Sequence, residues 1–311
     1  MPARKEASPS WLKLEFSVPP ELLDAVTNYV TELGAEGVMQ EEGEEILTGE
    51  FAAPRPYETF SAFLPCDLRL EKRLASLRSY LESLAALFPE LPPVSFRQEE
   101  VAAADWGEQW KIYFKPLRAS RSIVVKPTWE RYTPRGGDIV VEIDPGMAFG
   151  TGQHASTRMC LQAIEDILLK DRHRQQWRVL DVGTGTGILG ISCAKLGAQH
   201  VVCVDVDKQA VEIARENVRI NAVEDIVTVY NRDVATVQEQ FDLIVANLTA
   251  KLLLKLRSHL LSILVEDGYL VIGGILDQQR EDIEEHFVGE LFTITTVLTE
   301  QEWLAFVLRR R

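Results

Sequence analysis

A chain of 311 residues is more than one hydrophobic core usually serves, and 46% hydrophobic with 26% charged residues is the balance of an ordinary globular protein. The formal net charge of −14 opposes stable binding to a phosphate backbone and suits a basic protein partner, or serves solubility alone. No apolar run reaches bilayer length and MPARKEASPSW has no apolar stretch behind its charges, so a membrane or secretory role is not expected and a cytoplasmic one is.

Residues 12 to 18 alternate apolar and polar (Leu12, Leu14, Phe16 and Val18 against Lys13, Glu15 and Ser17), which predicts a half-buried strand. After Pro19 and Pro20, Leu22, Leu23, Val26, Val30 and Leu33 recur at helical spacing, and Gly34 stands where a helix C-cap belongs. A short strand from Gly37 to Gln40, an acidic loop through Glu41, Glu42, Glu44 and Glu45, and a strand over 57–64 follow. Leu70, Leu74, Leu77, Leu81, Leu84 and Phe88 mark a second amphipathic helix, and 94–101 forms a last strand. This βαββαβ order predicts a ferredoxin-like α+β domain over 1–102. The domain holds no histidine and no cluster of catalytic character.

Residues 103–136 read as a linker, with Trp106, Trp110, Tyr113, Phe114 and Trp129 set among Pro116, Pro127 and Pro134. From 137 to 311 strands and helices alternate. Strands are expected at 138–143, 177–182, 200–205, 226–230, 241–246, 269–273, 291–298 and 303–309, with helices near 156–169, 187–196, 208–220, 249–264 and 277–287. Regular alternation implies a mostly parallel α/β sheet covered on both faces. The tight link from Thr299 to Glu302 allows only an antiparallel hairpin, so the last strand runs against the others. Cys66, Cys160, Cys193 and Cys203 are scattered without a CxxC pair and are expected to be reduced thiols, with no metal site.

The central signal is VLDVGTGTGILG, residues 179–190, an apolar strand running into a glycine-rich turn and a helix. Gly185, Gly187 and Gly190 fit the dinucleotide fingerprint, with Asp205 twenty residues on. Gly183, Gly185 and Gly187 equally fit the methyltransferase pattern, which has an acidic residue two positions earlier, here Asp181. Asp205 ends the next strand, where its carboxylate can accept from both ribose hydroxyls of either cofactor. Asp207 is expected to cap a helix. Asp233 follows the third strand, as an acceptor for an adenine amine or as an ordinary loop aspartate. The fourth strand ends in Asn247-Leu248-Thr249-Ala250. An Asn past an apolar strand offers a side-chain carbonyl that can hold an amine with its lone pair aimed along a methyl-transfer line. Upstream, the glycine-rich run from Asp144 to Arg158 suits a loop that closes on a ligand. Thr157 would reach a cofactor or serve as a helix cap, and His154 would face the reaction centre or solvent.

That upstream run, DPGMAFGTGQHAST, resembles the signature of the bacterial methyltransferases that modify large-subunit ribosomal protein eleven, the PrmA family. The likeness continues in Asp105-Trp106, Trp110-Lys111, Phe114-Lys115-Pro116, VLDVGTGTGILGI, VANLTA, Gly274-Ile275-Leu276 and Glu302-Trp303. The resemblance implies a class I methyltransferase domain, S-adenosylmethionine as donor, lysine ε-amines and an N-terminal α-amine as acceptors, and recognition of a basic ribosomal protein by the N-terminal domain. It places donor contacts on Thr157, Gly183, Asp205 and Asn247; from the residues themselves, catalysis is expected of Asn247 with His154. The chain departs from the family in Leu248-Thr249, where Ile-Leu is usual, in Ser156 for a second threonine, and in Thr186 for serine. Methylation of another protein lysine or of nucleic acid, or a dinucleotide-dependent oxidoreductase, are the alternatives.

Overall fold

The structure is a computed structural model that describes residues 11–40, 57–67, 69–101, 114–144, 150–170, 176–287 and 292–311. The acidic loop of Glu41 to Glu45, Trp106, Trp110 and residues 145–149 lie outside these residues. The chain divides into two units, Met1–Tyr113 and Phe114–Arg311.

In the first unit β1 (Trp11–Val18), α1 (Leu23–Glu32), β2 (Glu36–Gln40), β3 (Glu58–Pro65), α2 (Leu70–Leu87) and β4 (Ser95–Val101) form a sheet in the order β2-β3-β1-β4. Neighbouring strands are antiparallel, and each helix links two strands that flank a third. This is the ferredoxin-like arrangement. The alternation of β1 explains it locally: Leu12, Leu14, Phe16 and Val18 are buried in one core with Val26, Val30, Leu74 and Leu77 of the helices. Phe16 stacks on Phe60 at 4.5 Å. Gly34, at φ +86°, ends α1 while Ala35 N–H donates back to the Val30 carbonyl at 3.1 Å, so the expected glycine C-cap is present.

The second unit opens with a three-stranded sheet of β5 (Leu117–Arg118), β6 (Ile123–Lys126) and β7 (Ile139–Glu142). Then come α3 (Ala155–Lys170), β8 (Arg178–Val182), α4 (Ile188–Lys195), β9 (His200–Asp205), α5 (Lys208–Ile220), β10 (Val227–Asn231), β11 (Phe241–Asn247), α6 (Ala250–Ile263), β12 (Leu264–Leu276), α7 (Arg280–Phe287), β13 (Phe292–Glu300) and β14 (Trp303–Arg310). The main sheet has the order β10-β9-β8-β11-β12-β14-β13, and β14 is antiparallel to both neighbours. Glu300 pairs with Trp303, so the last two strands are joined by Gln301 and Glu302 alone. Both faces of the sheet are buried. Val179, Val201, Val245 and Val271 face a core shared with α3, α4 and α5, while Leu180, Val202, Ile244 and Ile272 face one shared with α6 and α7. The strand order reverses between β8 and β11, and their carboxyl ends form the crevice where open α/β sheets bind ligands.

Two expectations change. The described part of the 103–136 linker is no connector: β5 and β6 lie in it, and Ile123 and Val125 belong to the same core as α3. Glu165 of α3, 1% exposed, accepts the N–H groups of Arg121 and Ser122 at 3.1 and 2.8 Å, which welds this segment to the helix. The strand expected at 138–143 pairs with β6 and not with the main sheet. The prolines flank these short strands without entering them, so a pattern that reads as irregular is strand between punctuation. Among the described residues no helix is long and apolar enough to cross a membrane.

Candidate active site

The glycine loop follows β8 directly. Gly183, Gly185 and Gly187 have φ of +68°, +54° and +86°. Gly183 takes its left-handed φ without strain, and a Cβ there would stand 2.5 Å from Leu248 Cδ2, so the Leu248 side chain would have to move. At Gly190 a Cβ would stand 2.4 Å from Cys203 Sγ, so this glycine allows α4 to close on β9.

Asp181, expected among the donor contacts, is placed beneath the loop with 1% exposure. Its Oδ2 accepts from Thr184 Oγ1 at 2.6 Å and from Gly190 N–H at 3.0 Å. Its Oδ1 is buried with no hydrogen-bond partner. The carboxylate therefore shapes the loop from inside and presents no face to a ligand. Burial pushes its pKa up from 3.8 to about 6. The folded chain thus holds this proton more tightly than the unfolded chain does. The destabilisation is fully present above pH 6, roughly 3 kcal/mol, and is relieved as pH falls through 6 towards 4. Asp181→Asn does not titrate. Its stability relative to wild type should therefore drop by roughly 1 kcal/mol between pH 8 and pH 5, read from urea denaturation. A pH-independent difference would show that the group is not perturbed.

Asp205, half-buried at the end of β9, accepts from Gly185 N–H through Oδ2 and from Asp207 N–H through Oδ1, both at 3.0 Å. Each oxygen keeps a lone pair for one of two vicinal hydroxyls. Asp207 caps α5 through Gln209 N–H at 2.9 Å. Asp233 is exposed, and its Oδ1 caps a short 3₁₀ turn through Ala235 N–H at 2.9 Å. Both of the alternatives for Asp233 remain compatible, because that cap engages one oxygen. Five N–H groups in and just after the loop are engaged within the protein. Gly183 and Thr184 donate to the Val204 carbonyl, Gly187 to the Thr184 carbonyl, Gly185 to Asp205 and Gly190 to Asp181.

Asn247 ends β11 opposite Gly273 of β12. Its Nδ2 donates to Thr157 Oγ1 at 3.4 Å. Its Oδ1 faces the backbone of Gly273 and Gly274, 3.2 and 3.1 Å from where their Cβ atoms would be. The pairing of β12 with β14 breaks between Ile272 and Ile275, at these two glycines. Leu248 is fixed by its N–H to the Gly273 carbonyl at 3.1 Å. Thr249 is the N-cap residue of α6, exposed, and its hydroxyl makes no capping bond.

Thr157 is 1% exposed and lies inside the first turn of α3, so it holds Asn247 and is not the cap. The cap is His154. Its carbonyl accepts Thr157 N–H and Arg158 N–H at 3.0 and 3.1 Å, and its Nδ1 accepts Ser156 N–H at 3.2 Å. The imidazole meets the Trp303 ring edge-on, with centroids 4.7 Å apart. Burial, then the Arg158 charge, hold its pKa below the usual histidine range. Nδ1 also lies 2.7 Å from Ser156 Oγ, so Ser156 holds the ring against the first turn of α3. His154, expected in catalysis, is thus built as a helix cap. Arg158 secures the same turn by pairing with Glu300 at 2.9 Å through Nε and by donating to the Gln153 carbonyl.

Sequence reasoning missed Leu248 and Gly273 as parts of this site, and also Asn217, a fully buried amide on the core side of α5 between Ala214 and Val218. A polar residue on the apolar stripe of an amphipathic helix was the signal available.

Comparison with known proteins fits this geometry. A ribosomal protein L11 methyltransferase of Caldanaerobacter subterraneus subsp. tengcongensis is 34% identical over 97% of this chain and 99% of the relative. One of Pelobacter propionicus is 37% identical over 96% of this chain and 97% of the relative. The crystal structure of a ribosomal protein L11 methylase from Lactobacillus delbrueckii subsp. bulgaricus superposes with a TM-score of 0.57 at 32% identity, covering 64% of this chain and all of that one. The profile of the family described as ribosomal protein L11 methyltransferase (PrmA) matches residues 10–311, and the chain belongs to that family.

Proposed function

We propose that this chain acts in the cytoplasm and moves methyl groups from S-adenosylmethionine to amines of ribosomal protein L11, lysine ε-amines and the N-terminal α-amine. When bound, the donor supplies an electrophilic methyl carbon on a positively charged sulfur. The residues present suit such a group. Asp205 has acceptor capacity for the ribose hydroxyls and Asp233 for the adenine amine, and the three left-handed glycines form the turn between them and β8. The five engaged N–H groups around the loop leave fewer donors for a pyrophosphate, which binds through such groups. That weighs against the dinucleotide reading.

The observation that carries the acceptor assignment is Asn247 held by Thr157. With Nδ2 engaged on Thr157, Oδ1 is fixed away from it, beside a backbone without side chains. A carbonyl so placed accepts an N–H of the incoming amine and turns its lone pair towards the methyl carbon. A lysine ammonium, with an ordinary pKa of about 10.4, first loses a proton. Among the described residues His154 is held as a helix cap and Asp205 by two backbone N–H groups, so desolvation beside a cationic sulfur lowers the amine pKa and water removes the proton. The N-terminal unit grips the basic substrate, whose charge complements −14 on this chain, and stable nucleic-acid binding is not part of the function.

Mass spectrometry of L11 after incubation with chain and donor tests this. The expected result is methyl increments on lysine and N-terminal peptides. Unmodified L11 with label on RNA or on another ribosomal protein would overturn the acceptor. Saturable NADH binding without S-adenosylhomocysteine binding would overturn the donor.

A further inference from the structure

Thr186, in the middle of the glycine loop, and Asn217, on α5, are each fully buried, and both reach a segment far away in sequence. Asn217 makes a two-bond amide–peptide pair with Asp144: its Oδ1 accepts Asp144 N–H at 2.8 Å and its Nδ2 donates to the Asp144 carbonyl at 3.0 Å. The same Nδ2 donates to the Thr186 carbonyl at 2.9 Å. One turn on, Asn221 repeats the pair with Glu142, accepting its N–H at 2.9 Å and donating to its carbonyl at 2.6 Å. The match is geometric. Four residues of helix rise about 6 Å and two residues of strand about 6.6 Å, so two asparagines on one helix face can read alternate peptides of the chain leaving β7. Thr186 then grips the far side, its Oγ1 donating to the Gly150 carbonyl at 2.6 Å. A Cβ on Gly150 would stand 2.8 Å from that hydroxyl, so the approach depends on glycine there.

Thr186 is therefore tied to Asp144 through Asn217 and to Gly150 directly. Four residues after Gly150 comes the His154 cap, and then Thr157, which holds Asn247. With no exposed atoms, neither residue can exchange these bonds for water without opening the core. We infer that Thr186 and Asn217 are positioning residues that couple the donor loop to the acceptor end of the site, so that a donor settling on the glycine loop also sets the first turn of α3 and Asn247. The inference rests on the donor reading above, and linkage makes the coupling reciprocal. Serine at this position keeps the hydroxyl, which is why the departure from the family's usual residue leaves the device intact.

The test uses the full chain with S-adenosylhomocysteine as probe. In wild type the probe is expected to slow backbone hydrogen exchange at residues 183–190 and also at 150–160. Thr186→Val, which keeps the shape and loses the hydroxyl, is expected to keep the first protection and lose the second. Its KM for L11 should rise roughly tenfold while the probe's Kd changes less than about threefold. Thr186→Ser should behave as wild type. Asn217→Ser, which shortens the other arm, should show the same split as Thr186→Val and keeps the test open if the valine variant does not fold. Retained protection at 150–160 in the folded variants, or Thr186→Ser as impaired as Thr186→Val, overturns the coupling. Wild type that binds no probe at all overturns the donor reading instead.

Discussion

Asn247→Ala is expected to slow methyl transfer about a hundredfold at saturating substrates while S-adenosylhomocysteine binds within about threefold of wild type. Its Oδ1 lies against the backbone of Gly273 and Gly274, turned from Thr157 because Nδ2 donates to Thr157 Oγ1, and the two glycines put no side chain beside it. Alanine removes the acceptor for the amine hydrogen, so the amine rotates and its lone pair leaves the displacement line. That loss falls on the transition state and spares the ground state, which places it in kcat and not in donor affinity. A hundredfold is about 2.7 kcal/mol, the size of one oriented hydrogen bond in a site shielded from water. Thr157→Val should give a smaller loss in the same direction, because the amide stays but its orientation is no longer held. A radiolabel transfer assay decides. Turnover of the alanine variant equal to wild type would remove Asn247 from the mechanism.

Asp205→Ala should weaken donor binding by about two to four orders of magnitude and leave turnover at saturating donor within about tenfold. Each carboxylate oxygen already accepts one backbone N–H at 3.0 Å and has one lone pair left. Two bonds from ribose hydroxyls to a charged acceptor contribute about 1.5–3 kcal/mol each. The substitution also leaves Gly185 N–H without its partner and loosens the loop, which adds to the loss in affinity. Because the ribose is remote from the reacting carbon, its contacts are the same in ground and transition states and appear in Kd. Asp205→Asn, which keeps one acceptor oxygen, should fall between the two. Calorimetric titration with S-adenosylhomocysteine reads the effect directly. An unchanged Kd in Asp205→Ala would place the ribose elsewhere.

The period-two alternation of Leu12 to Val18 sufficed for β1, because a strand with one buried face writes its geometry into adjacent residues. The short link between Thr299 and Glu302 sufficed for the antiparallel end of the sheet, because four residues cannot carry a parallel crossover. Where two elements depend on distant partners the reading fell short. The start of β12 lies at Leu264 and not near 269, since Asp267 at φ +60° and Gly268 interrupt a strand that its neighbours carry through the irregularity. Residues 117–126 read as linker because strands of two and four residues show too little pattern, and their pairing with β7 supplies the rest.

The same division holds in the site. Glycine spacing, the acid at the end of β9 and the Asn after β11 are local chemistry at local intervals, legible from the chain in order. Roles were not. Asp181 looked like a ligand contact and is an internal anchor, because burial is set by what packs over a strand end. His154 was expected in catalysis and caps a helix, with its Nδ1 engaged by Ser156. Thr157 finds Asn247 ninety residues away, and Asn217 finds Asp144 across 73. Residue type and spacing establish which groups a chain can offer. Only packing decides which are spent on one another and which stay open to a substrate, since a hydrogen-bonding group satisfied inside the protein has that much less to give.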